Sequence, residues 1–332
     1  MLVDRGGLTM ESLSEVIKSM ATNKHEKQKQ EAVQQMRSDP HLLKWLSQHP
    51  QVTEDDIKSH VNVLYQFVSE HRSCSQCPGL DKCPNDFAGH YTMLTTEPGK
   101  DLTHLYDYKV ACKKLIAKQS QDQIRSRVRS FYVDEASLRQ GYSPEEILDL
   151  DIERAKAVGT ILTYIDNTKR AGLQKQGLYL CGELGTGKTF LMGYLLYELA
   201  KIGLNGAIVY MPDFSEDLKA MFSEPQRLKE TIDLLKETDL LVLDDIGAEN
   251  MNPWLRDHVL AAILNYRMNR KPTFFTSNYE LDDLERHFSF TNKDGEEEFK
   301  GKRIMDRIRP FVRVEQVGGF NKRNNLYLNK KV

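Results

Sequence analysis

The sequence lacks any apolar run that approaches the ~20 residues of a membrane-spanning helix. Its opening segment, MLVDRGGLTMESL, has no apolar core of the kind that signal peptides contain. The sequence has no excess of either charge, because it contains 46 Lys and Arg and 48 Asp and Glu. This balance excludes a generally basic nucleic-acid-binding protein. No internal repeat or low-complexity tract is present. We therefore expect a soluble, cytoplasmic protein that has no membrane partner.

Cysteine is scarce and unevenly placed, since four of the five cysteines fall within residues 74–112. The chain has 332 residues, 40% of them hydrophobic, which is enough for about two folded domains with ordinary cores. A helical pattern begins only at Met10, so we expect residues 1–9 to be disordered and to be an over-extended start. The two halves of the chain carry different motifs.

The clearest motif is a phosphate-binding loop in residues 178–189, LYLCGELGTGKT, where an apolar strand runs into a glycine-rich turn. Glycines let the backbone curl so that amide N–H groups point into one concavity, and the start of the following helix adds partial positive charge. We predict that Lys188 reaches the β- and γ-phosphates of a nucleotide and that the Thr189 hydroxyl ligates Mg²⁺. The predicted nucleotide contacts are Gly182, Gly185, Thr186, Gly187, Lys188, Thr189 and Asp244.

A second motif, residues 239–246 (DLLVLDDI), reads as a buried parallel strand that ends in two carboxylates. Parallel strands end at the same edge of a sheet, so these carboxylates are expected beside the phosphates. We predict that Asp244 holds the Mg²⁺ shell together with Thr189, and that Asp245 polarises the attacking water. The other interpretation is two acids at a solvated strand end.

Two further segments carry candidate catalytic residues. Residues 271–278 (KPTFFTSN) form another buried strand, and Asn278 stands where a water-orienting residue would. Residues 301–310 read as a short helix that places Arg303 and Arg307 one turn apart on one face. Such a face can be merely solvated, or Arg307 can be an arginine finger directed at a neighbouring subunit's nucleotide. The predicted catalytic residues are Asp245, Asn278 and Arg307.

Taken together, GELGTGKT, LLVLDDIG, PTFFTSN and GKRIMDRIRP resemble the AAA+ ATPases of the initiator and helicase-loader branch, and more closely the bacterial replicative helicase loaders of the DnaI and DnaC type. The resemblance covers about residues 136–332 and implies an α/β fold, a five-stranded parallel sheet inside a three-layer αβα core. By position, Arg307 matches the finger arginine of the family and Asn278 its first sensor. Most members carry Glu where this chain has the shorter Asp245, so slow hydrolysis is expected.

The resemblance also bears on two other segments. The family has an insertion that helps contact single-stranded DNA, and its counterpart here is residues 212–238, which follow a strand at residues 207–211 and have room for two helices. Each of these helices can instead simply pack on the sheet. After a last strand near residues 311–317, the remaining fifteen residues are too few for a helical lid, although Arg323 could supply a second sensor.

The clustered cysteines form a candidate zinc site. Disulfides are unfavourable in a chain that looks cytosolic, and thiolates separated by two residues on a Pro/Gly turn can converge on one tetrahedral Zn²⁺. There are five candidate ligands for four coordination positions, so one of Cys83 and Cys112 is expected not to bind the metal. The alternative is that the cysteines are unrelated free thiols. Cys181 is expected in the core. The candidate ligands are Cys74, Cys77, Cys83, His90 and Cys112.

These observations divide the chain into three parts. Residues 1–114 are expected to form a small helical zinc-binding domain, because residues 11–72 show helical periodicity. Residues 115–135 are basic and read as a linker, a hinge or an exposed helix, and residues 136–332 form the AAA+ ATPase domain. In the DnaI type, the amino-terminal domain is the helicase-binding module.

The resemblance implies an ATP-dependent loader that grips a hexameric replicative DNA helicase and delivers it onto single-stranded DNA during initiation of replication. ATP or ADP, Mg²⁺ and Zn²⁺ are the expected cofactors. ATP binding would favour self-assembly into an oligomer, and hydrolysis would release the loader. One alternative is a transposon-type AAA+ ATPase, which would lack the cysteine-rich domain. Another is a zinc-dependent interaction adaptor that uses nucleotide only as a switch.

Overall fold

The structure is a computed structural model that describes residues 33–99, 103–131, 133, 152–291, 295–319 and 321. The chain divides into two compact units, of which the first ends at Ser120 and the second begins at Gln121. The domain limits expected at residues 114 and 135 stay predictions. Residues 1–9, predicted to be disordered, residues 11–32 of the predicted helical region, and Arg323 all lie outside the described residues. Over the described ranges, no helix is long and apolar enough to cross a membrane.

In the part of the chain that the structure describes, the first unit contains the end of a helix at residues 33–37, three helices described over their whole length, and a two-stranded hairpin. Asp39 starts the first helix, since its carboxylate accepts a hydrogen bond from the His41 N–H at 2.9 Å, and Pro40 takes the first helical position. Thr53 and Asp56 form a capping box that starts the second helix. The helices are α1 (Pro40–Gln48), α2 (Glu54–Ser59) and α3 (Val61–Ser75).

The hairpin corrects the prediction of a small helical amino-terminal domain, because this unit also contains strands. Its strands, β1 (His90–Pro98) and β2 (Thr103–Ala111), pair in antiparallel register. Leu94 and Leu105 on the inner face join the same core as apolar residues of α1 and α3. The prediction rested on the helical periodicity of residues 11–72. A hairpin with one buried face needs apolar residues only at a few alternate positions, which is a much weaker signal.

A buried carboxylate joins α3 to the hairpin. Glu70 Oε2 accepts hydrogen bonds from the Thr92 N–H at 2.6 Å and from the Thr92 hydroxyl at 2.8 Å, while Oε1 pairs with Lys109. Burial alone would raise the pKa of Glu70, but the hydrogen bonds from Lys109 and Thr92 outweigh burial and lower it. The ionised carboxylate therefore stabilises the first unit.

The second unit is built on a parallel sheet whose central strands are short apolar runs, as expected for strands that are buried on both faces. The strands of this unit are β3 (Val128–Phe131), β4 (Gly177–Cys181), β5 (Gly206–Tyr210), β6 (Leu240–Asp244), β7 (Thr273–Ser277), the short antiparallel pair β8 (Phe290–Thr291) and β9 (Gly295–Glu296), and β10 (Val312–Gln316). The parallel sheet has the order β10-β4-β7-β6-β5-β3.

The sheet has six described strands, so the expected count of five is wrong. The additional strand, β3, lies in the segment predicted as a linker, where it pairs with β5 from Val128 opposite Gly206 to Phe131 opposite Val209. It was missed because an edge strand of four residues needs little burial, and Arg129 between its half-buried neighbours reads as surface.

Helices cover both faces of the sheet, which confirms the layered α/β architecture. Leu178 and Leu180 of β4 enter the core on one face, and Tyr179 and Cys181 enter the core on the other, so Cys181 is a core residue as predicted. The boundary between the two units falls within α4 (Lys113–Ser126). The described helices of the second unit are α5 (Ala155–Ala171), α6 (Lys188–Ala200), α7 (Met211–Ala220), α8 (Pro225–Glu237), the π-helix Leu255–Leu260, α9 (Ala261–Arg267), α10 (Leu281–Ser289) and α11 (Glu298–Met305).

Two predicted helical segments had different outcomes. Between β5 and β6 the chain forms the two expected helices, α7 and α8. The helix expected to run to Pro310 ends at Met305 instead. Tight i to i−3 hydrogen bonds close this end: the Arg307 N–H donates to Ile304 O, and the Ile308 N–H donates to Met305 O, each at 2.9 Å. Because a residue before proline avoids the α region, Pro310 also opposes a continued helix.

Candidate nucleotide-binding and hydrolysis site

The turn between β4 and α6 has the backbone shape of a phosphate-binding loop. Gly182 and Gly187 have φ angles of 148° and 90°, which L-residues with side chains rarely adopt. A Cβ atom on Gly182 would lie 2.3 Å from Val317 O, so no larger residue fits there. Gly187 caps α6, and the Arg154 guanidinium, which is buried, lies 3.0 Å from the position of a Cβ on this glycine.

Lys188 is the only lysine among the buried residues that the structure describes. Its Nζ donates hydrogen bonds to Gly182 O, Glu183 O and Asn278 Oδ1, each at 2.8 Å. These bonds hold the ammonium group across the loop. The Thr186 hydroxyl, also buried, donates to Glu183 O at 3.0 Å and braces the same turn.

The end of β6 places the first carboxylate beside the start of α6. Thr189 Oγ1 donates to Asp244 Oδ2 at 3.0 Å, and Thr276 Oγ1 donates to Asp244 Oδ1 at 2.6 Å. Burial raises the pKa of the Asp244 carboxyl, and the neighbouring charge of Asp245 adds to this rise. A hydroxyl and a carboxylate in contact are oxygen ligands of the kind that Mg²⁺ prefers.

The second carboxylate, Asp245, follows in a left-handed conformation with a φ of 56°. Its N–H donates to Thr276 Oγ1 at 2.8 Å, and its Oδ1 accepts a hydrogen bond from Asn278 Nδ2 at 3.0 Å. Asn278 therefore contacts both Asp245 and Lys188, so the structure brings together three residues that lie far apart in the sequence. Thr276, which contacts both carboxylate residues, was missed; its signal was a polar residue near the end of an apolar strand.

The predicted finger arginine lies in a different environment. Arg307 Nε pairs with Asn265 Oδ1, and Arg307 Nη1 pairs with Arg303 O. Arg309 forms ion pairs with Asp282 at 2.7 Å and Glu285 at 3.0 Å, both from α10. Arg309 thus has local structural partners. The role of Arg307 across a subunit interface stays a prediction.

The cysteines of the first unit are neighbours. Burial raises the pKa of the Cys74 thiol, and the nearby Cys77, Cys83 and Cys112 thiols raise it further. Three sulfurs each accept one hydrogen bond of 3.4 Å: Cys74 from the Asn85 side chain, Cys83 from the Gly89 N–H and Cys112 from the Leu115 N–H. His90 Nδ1 lies 3.3 Å from Ala88 O.

In the described part of the chain, no group of three or more His, Cys, Asp or Glu side chains is arranged to hold a metal ion. The zinc prediction therefore has no support from the coordination geometry. Cys74 lies in α3, Cys77 and Cys83 follow α3, and Cys112 follows β2.

Comparison with known proteins identifies the family. Residues 10–101 match the family model of the primosomal protein DnaI N-terminus, and residues 160–323 match that of the IstB-like ATP-binding proteins. The replicative helicase loader DnaI of Bacillus subtilis (strain 168) is 30% identical over 301 residues, which cover 90% of this chain and 94% of that protein. The uncharacterized protein YqaM of the same strain is 28% identical over 129 residues, covering 36% of this chain and 40% of that protein.

A solved structure agrees with this result. The crystal structure of DnaI is 33% identical, with a TM-score of 0.50, and the match covers 60% of this chain and 99% of that one. The parallel sheet and the loop at Lys188 have the α/β architecture of an AAA+ P-loop protein. The match of residues 160–323 to the IstB-like ATP-binding model supports nucleotide binding by the carboxyl-terminal part. Since its similarity to a loader extends over nearly the whole length of both proteins, the chain is a member of the DnaI family of replicative helicase loaders.

Proposed function

We propose that this protein is an ATP-driven loader that binds a hexameric replicative DNA helicase and delivers it onto single-stranded DNA when replication begins. The proposal of ATP hydrolysis rests on the position of Asn278, whose side chain forms hydrogen bonds with both Lys188 and Asp245. Such a link joins the group that would hold the γ-phosphate to the group that would direct water at it. The similarity to a helicase loader supports the rest.

The side chains around the loop suit a magnesium nucleotide. Lys188 donates hydrogen bonds to Gly182 O and Glu183 O that an entering polyphosphate could replace. The Thr189 hydroxyl and the Asp244 carboxylate would hold Mg²⁺, which when bound would neutralise phosphate charge during transfer. The loop backbone at Gly182, Gly185 and Gly187 would bind the phosphates through its N–H groups.

Hydrolysis would depend on Asp245 and Asn278. Asp245 would accept a hydrogen bond from the attacking water, and Asn278 would fix the carboxylate through the bond of 3.0 Å. Because Asp is one methylene shorter than Glu, the carboxylate reaches less far, which supports slow turnover. A slow ATPase suits a loader that must act once for each helicase delivered.

Self-assembly would complete the site. In the described structure the Arg307 side chain pairs with Asn265 and Arg303. Reorientation toward a neighbour's γ-phosphate would place Lys188, Mg²⁺ and Arg307 around one phosphate group, so ATP would stabilise the oligomer and hydrolysis would loosen it.

The first unit is the proposed helicase-binding module, with residues 1–114 as its limits, residues 115–135 as the linker and residues 136–332 as the ATPase domain. Its match to the DnaI amino-terminal family supports this assignment. We propose that this unit binds one Zn²⁺ through four ligands. The candidate ligands are Cys74, Cys77, Cys83, His90 and Cys112. Backbone and side-chain N–H donors to three of the sulfurs are contacts that also stabilise thiolates.

Single-stranded DNA would contact the insertion between β5 and β6. There Phe222 is 54% exposed, and its ring lies 4.4 Å from that of Trp254. Exposed aromatic rings are surfaces on which bases stack without sequence preference. The cytoplasm, where replication takes place, is the proposed location.

The experiment that tests this function is co-purification with the replicative helicase of the same cell, followed by ATP hydrolysis with helicase and single-stranded DNA added separately and together. A loader binds the helicase and hydrolyses ATP faster when both are present. A transposon-type ATPase would bind no helicase, and that alternative is disfavoured because residues 10–101 match the DnaI amino-terminal family model. An adaptor that uses nucleotide as a switch would bind helicase and show negligible turnover with any combination.

A further inference from the structure

The turn that presents Asp245 must be held in place from outside. Asp245 has a φ of 56° and Gly247 a φ of 98°, so two of three successive residues are left-handed. For a residue with a side chain, such a conformation is unfavourable and persists only where the surroundings enforce it. On one side the strand β7 does this, because Thr276 O accepts the Ile246 N–H at 2.9 Å, and Ser277 Oγ donates to Ile246 O at 2.6 Å.

On the other side the turn is held by a buried carboxylate. Glu249 is 3% exposed, and its Oε2 accepts the Gly247 N–H at 2.7 Å. Its Oε1 lies 3.0 Å from His287 Nε2. A carboxylate only accepts hydrogen bonds, so His287 is the donor. The Tyr279 ring packs against Gly247 and stacks on His287 at 6.1 Å.

Burial of a carboxylate is unfavourable unless its oxygens are hydrogen-bonded, and both oxygens of Glu249 are. An apolar side chain would fill this space at lower cost but would leave the Gly247 N–H without an acceptor. The pair therefore links the turn after Asp245 to α10, which carries His287 and immediately precedes the β8–β9 pair and α11.

We propose that Glu249 and His287 are a positioning pair that fixes the turn carrying Asp245, so that its carboxylate keeps its bond to Asn278 during ATP hydrolysis. The proposal rests on the proposed function, in which Asp245 directs the attacking water. The hydrogen bonds of Glu249 in the described part of the chain go to Gly247 and His287, whereas Lys188 and Thr189 are held by Gly182 O and by Asp244. Loss of the pair should thus impair turnover rather than ATP binding.

Steady-state ATP hydrolysis by the full chain, with helicase and single-stranded DNA present, tests the pair. In Glu249→Leu and His287→Leu, kcat should fall by about 10- to 100-fold, the range that an unsatisfied buried N–H can produce, while KM for ATP changes less than about twofold. Glu249→Gln should keep most activity, because its amide oxygen accepts the Gly247 N–H and its amide nitrogen donates to the other tautomer of His287. His287→Gln should also keep most activity, because Gln Nε2 can replace His Nε2.

Asp283→Asn on the same helix is the matched control, because Asp283 forms an ion pair with the exposed Arg286, and kcat should stay within about twofold of wild type. The proposal is overturned if the leucine variants, once shown to be folded by circular dichroism, keep wild-type kcat. It is equally overturned if the glutamine variants fall as far as the leucine variants, or if KM rises in step with the loss. Absence of turnover in the wild-type protein would instead refute the proposed ATPase function itself.

Discussion

The side-chain amide of Asn278 donates to Asp245 Oδ1 over 3.0 Å and so ties the ends of two neighbouring strands together. The bond exists because β6 and β7 are adjacent and parallel, which places their carboxyl ends at one edge of the sheet. The oxygen of the same amide accepts a hydrogen bond from Lys188 at 2.8 Å. One side chain thus connects the phosphate-binding loop with the proposed catalytic carboxylate.

Substitution of Asn278 should separate these two groups. In Asn278→Ala we expect kcat for ATP hydrolysis to fall by about tenfold or more, because Asp245 and the attacking water lose their fixed orientation. Affinity for ATP should change less, since the loop backbone and Lys188 still bind the phosphates. Steady-state kinetics with nucleotide titrations measure both quantities. Asn167→Ala, an exposed position on α5, is the control, and equal activity of the two variants would contradict the assignment.

In Lys188→Ala, by contrast, the main loss should be in affinity for the nucleotide. The change removes the ammonium group that is placed to meet the β- and γ-phosphates, so nucleotide binding should be lost or weakened at least about tenfold. The fold should persist, because few core contacts depend on this side chain. Fluorescent-nucleotide binding measures the effect, with Lys201→Ala at the end of the same helix as the control. Wild-type affinity in Lys188→Ala would show that the nucleotide lies elsewhere.

The structure also shows which features could be predicted from the sequence. The loop at Gly182–Thr189 and the strand before Asp244 were predictable because their function needs particular residues at fixed local spacing. Pairs such as Glu249 with His287 could not be predicted, since residues 38 positions apart meet only after the sheet has formed. The edge strand β3 gave too little hydrophobic signal, and the end of α11 depends on local hydrogen bonds near Arg307 rather than on periodicity.

The metal prediction can be tested without any activity measurement. Structural zinc contributes roughly 10–16 kcal/mol of apparent binding free energy, so its removal should unfold much of the first unit. Elemental analysis of the full chain, purified without chelators, should find one zinc per chain. A strong chelator should then reduce the helical circular-dichroism signal. Cys74→Ser and Cys77→Ser should lose the metal, whereas Cys181→Ala, in the core of the other unit, should keep it. A metal-free wild-type protein would refute the prediction.

The buried Glu70 predicts how the first unit responds to acid. Its folded pKa is lowered, so its contribution to stability is present above the unfolded value of about 4.3 and is lost as the pH falls through the folded pKa. In Glu70→Gln, the free energy of unfolding at pH 7 should fall by roughly 1–3 kcal/mol. Urea unfolding at pH 7 and pH 3 should show a smaller pH dependence in the variant than in wild type. An equal pH dependence would mean that Glu70 is not a stabilising carboxylate.

The last prediction concerns Arg307, which should act on the nucleotide of a neighbouring subunit. Arg307→Ala should bind ATP normally, while hydrolysis that depends on assembly falls by roughly 10³- to 10⁵-fold, the range known for arginine fingers. Arg286→Ala, whose side chain is 79% exposed, is the matched control and should keep its activity.

Mixing two inactive variants distinguishes a finger that acts between subunits from one that acts within a subunit. Lys188→Ala retains an intact finger and Arg307→Ala an intact loop, so a mixed oligomer contains some complete sites and should recover part of the activity. The two proteins are titrated together at fixed total concentration, with helicase and single-stranded DNA present, and co-assembly is verified by sedimentation. If co-assembly occurs without recovery at any ratio, Arg307 is not the finger. Arg303, which is exposed at the end of α11, then becomes the better candidate than Arg309, because Arg309 is already paired with Asp282 and Glu285.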